Sequence, residues 1–162
     1  MLALLLAGSS AVYVSANALA TPPSGVTTLV IGTGRFDDID AKTKTGAWKA
    51  DIKTKEASDL HVIQNTIIPG GTFGWHSHPG PSLVTVKSGT LSVYHGSDCT
   101  TPEDFGPGSP NGSTFVDQGH DLHMVRNNST TDVADVYVVS FVPAGFARRI
   151  DEPSPNPSTC PN

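Results

Sequence analysis

Apolar and polar positions alternate with a period of two along much of this chain, the spacing of half-buried strands. Leu60 to Ile68 reads as one strand, closed by Pro69-Gly70-Gly71, which breaks pairing and turns the chain. Thr72 to His76 is the next. Leu83 to Lys87 and Thr90 to His95 read as two strands joined at Ser88-Gly89 in a tight hairpin, with Ser82, Val84 and Val86 on one face. Gly96 to Gly112 is a loop rich in proline and glycine. Ser113 to Val116 and Leu122 to Asn127 are short strands around a turn at Asp117 to Asp121. Ala134 to Val142 is the longest apolar strand, and Pro143 ends it. Ahead of these, Val26 to Ile31 is a short edge strand. Gly32 to Ser58 is polar and irregular, with Trp48 its only large anchor. No amphipathic helix and no internal repeat is evident. Roughly eight short strands between Gly/Pro turns predict an all-β sandwich or closed barrel.

Length adds that this is one domain: 162 residues can bury a self-sufficient core. The first 20 residues carry no charged side chain, and Ala18-Leu19-Ala20 is a small-x-small cleavage site before Thr21. They read as a secretory signal peptide, though the basic n-region is missing. The alternative is a hydrophobic anchor. Ser9, Ser10, Ser15 and Asn17 interrupt the run, which falls short of the ~20 apolar residues that span a bilayer. The predicted layout is a signal peptide (1–20), N-terminal strands with a polar surface segment (21–59), a barrel (60–145) and a Pro-rich tail (146–162).

Export gives the two cysteines a meaning. Cys99 and Cys160 form an even pair in an exported chain and are read as a disulfide that pins the tail. Free thiols or metal ligands are the alternatives, and neither cysteine lies near a histidine in sequence. The net charge of −5 is mild and there is no basic patch, so nucleic acid is not an expected partner. After signal removal no membrane contact is expected either.

The candidate chemistry is histidine. His76 and His78 are two apart, so in an extended strand they point to one face. Two imidazoles so placed can converge on one divalent ion, and the best third ligand is His123. His120, three residues before it across a turn, reads as an outer-shell base, a replacement ligand or a surface histidine. Trp75 reads as core, and His61 and His95 as ordinary polar positions. Asn111-Gly112-Ser113, Asn127-Asn128-Ser129 and Asn128-Ser129-Thr130 are glycosylation sequons, relevant only in a eukaryotic secretory route.

At these residues the chain resembles the cupin superfamily. The first cupin motif is matched by Gly70, His76, His78 and Gly89, with Ser82 in the slot of the family's glutamate. The second is matched by Gly112, His123 and Asn127, with Gln118 and His120 in the proline and glycine slots. The resemblance covers the middle third of the chain. It implies a double-stranded β-helix, or jelly roll, with the ligands inside one mouth. It further implies a divalent metal (Fe, Mn, Zn, Ni or Cu) on His76, His78 and His123, a small-molecule substrate, and pairing into a homodimer as a plausible arrangement. Ser82 and Asn127 stand as substrate-binding candidates and His120 as the catalytic proton carrier. With serine in the glutamate slot, three neutral ligands leave the ion's charge uncompensated, which favours an anion there or weakens the metal. Two functions follow. One is an exported metal-dependent oxygenase, isomerase or hydrolase acting on a small molecule. The other is a barrel that binds a small ligand without turnover.

Overall fold

The computed structural model describes residues 20–156 and 158–161, so residues 1–19 of the expected signal peptide lie outside the described residues. Among the described residues every regular element is a strand. The fold turns on β4 (Ser58–Ser77), a strand of 20 residues. Its first half pairs antiparallel with β1 (Ser24–Phe36) on one edge and with β10 (Ala134–Pro143) on the other. Its last residues pair instead with β9 (His123–Arg126) and with the short β11 (Ile150–Asp151). One long strand thus joins the two halves of a single nine-stranded sheet, and its order β7-β6-β9-β4-β10-β5-β8 rolls into a double-stranded β-helix. Here β5 is Ser82–Ser88, β6 Leu91–His95, β7 Asp98–Phe105 and β8 Thr114–Asp117.

The inward faces follow the alternation read from the sequence. On β5, Ser82, Val84 and Val86 are buried while Leu83, Thr85 and Lys87 face solvent. They meet Ile67, Leu91, Val93, Phe105, Val125, Ala134 and Val136 from the other strands in one core. Each such aliphatic side chain contributes ~1.5–3 kcal/mol by leaving water. A second, smaller cluster lies on the opposite face of β4 and β9: Trp75, Met124, Cys99 and Cys160. Cys99 and Cys160 are bonded, with Cα atoms 5.2 Å apart. The indole N–H of Trp75 donates to the carbonyl of Pro161 at 2.8 Å. The tail is therefore a lid over the back of the strands that carry His76 and His123.

Four local expectations are corrected. Pro69-Gly71 does not end a strand; β4 runs on, with Gly70 in a left-handed conformation (φ 74°) where its pairing passes from one half of the sheet to the other. Ser88-Gly89 is not a hairpin. β5 pairs with β10 and β8, and β6 with β9 and β7, so this link crosses from one half of the rolled sheet to the other. Two short alternating runs separated by two residues look like a hairpin, but their faces pack against different strands. The region read as a loop, Gly96 to Gly112, contains β7, which pairs back on β6. The region read as irregular, Gly32 to Ser58, holds the end of β1 and a hairpin of β2 (Asp40–Thr45) and β3 (Trp48–Lys53). Trp48 is no anchor there: it is 60% exposed.

Candidate metal centre

His76 near the end of β4 and His123 at the start of β9 are direct cross-strand partners. Their side chains share the inner face. His78 lies just past the end of β4, and all three imidazoles are buried. Ring centroids are 4.3 Å apart for His76–His123, 4.9 Å for His76–His78 and 5.3 Å for His78–His123. Their ligand nitrogens all lie within 4.8 Å of one another. Two strand ends, the end of β4 and the start of β9, bring the three imidazoles together.

Each ring is held through Nδ1. His76 Nδ1 lies 2.8 Å from the Gly74 carbonyl, His78 Nδ1 2.7 Å from Arg148, and His123 Nδ1 2.9 Å from Asp121. A carbonyl only accepts, so each Nδ1 carries the proton and each Nε2 presents a lone pair. This second contact orients metal-ligating histidines generally. The backbone around His76 is tight. Gly74 has φ 68°, and a Cβ there would collide with the Thr21 carbonyl, so the bulge before His76 requires glycine.

Burial pushes the His76 imidazole well below its ordinary value, reinforced by the charge that His123 would carry. Burial likewise lowers His78 and His123, against the opposing pull of Asp117. All three are therefore neutral donors near neutral pH.

Asp117 is the residue the sequence reading missed. It ends β8 directly opposite Ser82 of β5, and both side chains line the same cavity. Its Oδ1 accepts from the Gly119 N–H at 2.8 Å. Its Oδ2 is buried with no hydrogen-bond partner, 3.5 Å from His78 Nε2 and 4.0 Å from His123 Nε2. Ser82 lines the cavity, its hydroxyl 2.8 Å from that of Ser140.

The donor set fits a divalent transition ion. Donors ~2.1 Å from one ion lie at most ~4.2 Å apart. The Asp117 oxygen meets that limit against His78 and His123, while the group whose ligand atoms all lie within 4.8 Å of one another is the three histidines alone. Three imidazoles and a carboxylate suit Zn, Fe, Ni, Cu or Mn; no thiolate takes part, because both cysteines are in the disulfide.

The adjoining cavity measures about 60 Å³ and is walled mostly by apolar side chains such as Phe73, Val84, Leu91, Phe115 and Val136. Polar lining comes from Asn65, whose Oδ1 accepts from the Thr28 hydroxyl at 2.6 Å, and from Arg148 and Arg149. The two arginines arrive on the segment between β10 and β11, which the sequence reading treated only as tail.

Two earlier candidates stand outside the cavity. His120 is exposed, in a left-handed conformation (φ 63°), and only its backbone N–H reaches the site region, donating to the His78 carbonyl at 2.7 Å. The turn that seats His123 throws the side chain of residue 120 into solvent. Asn127 is fully buried but is spent on the backbone. Its amide N–H₂ donates to Asp132, Ile67 and Ile68, and its Oδ1 accepts from Ser129. It closes the 127–132 turn and does not line the cavity.

No family profile matches the sequence, and no curated protein does. Solved structures do match. The polyketide cyclase RemF from Streptomyces resistomycificus aligns over 90% of this chain and 86% of its own, with a TM-score of 0.52 and 13% identity. A cupin superfamily protein from Desulfitobacterium hafniense aligns over 76% of this chain and 84% of its own, at a TM-score of 0.47 and 8% identity. An oxalate oxidase in complex with glycolate covers 56% of this chain and 45% of its own, at a TM-score of 0.44 and 24% identity. The fold is a double-stranded β-helix, which the likeness to RemF supports, with a three-histidine cluster inside it.

Proposed function

We propose that this protein is an exported metalloprotein. It holds one divalent ion (Fe, Mn, Zn, Ni or Cu) through His76, His78, His123 and Asp117, and it transforms a small molecule in the adjoining cavity. One observation carries the reading. Three Nε2 lone pairs and a carboxylate oxygen without a partner converge in a buried pocket. Such an array repels itself unless a cation lies between its members, and burial of the imidazoles disfavours a proton as that cation.

The residues divide the work. The Nδ1 contacts to Gly74, Arg148 and Asp121 hold the rings in one tautomer. Asp117 supplies the negative charge that Ser82 does not. The apolar wall excludes water. A bound ion would supply Lewis-acid or redox chemistry, which spans oxygenase, isomerase and hydrolase classes. The likeness to RemF supports the barrel and leaves the reaction open. Export is supported by the Cys99–Cys160 disulfide, since such bonds persist in oxidising compartments.

The test is elemental analysis of protein purified without a histidine tag. About one equivalent of a single transition metal is expected. It should be lost in His76→Ala and held ~10–100-fold more weakly in Asp117→Asn. A metal-free protein that takes up none of these ions on titration contradicts the proposal and leaves the non-catalytic binding barrel.

A further inference from the structure

The cavity is unevenly charged. Among the described residues that line it, Asp117 is the only acid, the three imidazoles are neutral, and Arg148 and Arg149 bring two cations. Arg149 is the better anchored. Its Nε is paired with Asp151 at 2.6 Å and its Nη2 donates to the Phe73 carbonyl, while its Nη1 is buried with no hydrogen-bond partner. A buried guanidinium N–H without an acceptor is costly unless a ligand satisfies it. Arg148 has no carboxylate within ion-pair distance among the described residues. Its own carbonyl accepts from His78 Nδ1, which ties the arginine segment directly to a candidate ligand.

That segment is not free to drift. Just after it, β11 pairs with Ser77 and His76. Beyond that, Glu152 donates its N–H to the Trp75 carbonyl at 3.0 Å, and the disulfide closes the tail. Two guanidiniums therefore line an apolar cavity, and Nη1 of Arg149 is buried with no hydrogen-bond partner.

We infer that Arg148 and Arg149 make this cavity selective for a small organic carboxylate. The anionic end faces the guanidiniums and the apolar remainder faces Val84, Leu91 and Val136. The inference rests on the reading of this cavity as the ligand site, with or without the ion. Guanidinium–carboxylate pairs are strong because both partners are charged and the fork is planar. The cavity is small, about 60 Å³, so a short-chain carboxylate is the probe.

The experiment titrates propionate and its neutral isostere propionamide into metal-stripped and zinc-treated protein, following the Nε–Hε resonances of the arginines by NMR. Propionate is expected to bind at least about tenfold more tightly than propionamide in both forms and to shift the Arg148 and Arg149 signals. Arg148→Gln should reduce that preference severalfold. Arg149→Lys, which keeps the charge but loses the fork, should reduce it too. Equal binding of the two probes, no binding of propionate, or a preference unchanged in Arg148→Gln overturns the inference. The two readings separate cleanly. A carboxylate preference in protein that takes up none of Fe, Mn, Zn, Ni or Cu upholds this one and sinks the metal. Zinc uptake without the preference does the reverse.

Discussion

Ser82 and Asp117 face each other across β5 and β8. Where the cupin pattern has a glutamate this chain has a hydroxyl, and the carboxylate comes from the next strand. A buried carboxylate thus stands directly across from that hydroxyl. The histidines around it make the metal-free protein sensitive to acid. Each imidazole has a folded-state pKa pushed below the ordinary 6.5 by burial. As pH falls through 6.5 the unfolded chain takes up protons that the folded protein refuses, so folding loses stability on the acid side. The full contribution is present above that pH and drains away toward the folded values, at a limiting ~1.4 kcal/mol per pH unit for each imidazole. Urea midpoints of metal-stripped protein are expected to fall between pH 7 and pH 5, and to fall less steeply in His76→Gln. A midpoint flat across that range would mean the rings are not held neutral.

At the scale of elements, β4 is the frame. Its inner face carries His76, its outer face Trp75, and the tail covers Trp75 through the Cys99–Cys160 bond and the Pro161 carbonyl. The disulfide closes a separation of 61 residues, worth ~4 kcal/mol in the chain-entropy account. Cys99→Ala with Cys160→Ala is expected to lower unfolding free energy by ~2–5 kcal/mol in denaturant titrations. Losing the bond should also release the arginine segment, so propionate binding should weaken in the same variant. An unchanged denaturation midpoint would show that the tail is held by packing alone.

For the whole molecule, the sequence carried the class and part of the site. Alternation gave the inner faces of β5 and β10, and the two-residue spacing with the Gly-rich flanks led to His76 and His78. Pairing was less legible. Which strands sit side by side in a rolled sheet depends on contacts far apart in the chain, so the Ser88-Gly89 link was mistaken for a hairpin. The same gap hid Asp117. Its face is set by register against Ser82, 35 positions earlier in the numbering, and no local pattern states that register. Arg148 and Arg149 were hidden for a related reason. A Pro-rich tail has no period, and only the disulfide and β11 bring it back over the mouth.

The most direct measurement is an anomalous-difference map from crystals grown with Zn²⁺. The account predicts one strong peak bonded to Nε2 of His76, His78 and His123, with Asp117 Oδ2 in the same coordination sphere. No peak in the cavity, or a peak that leaves any of the three histidines unbound, would contradict it.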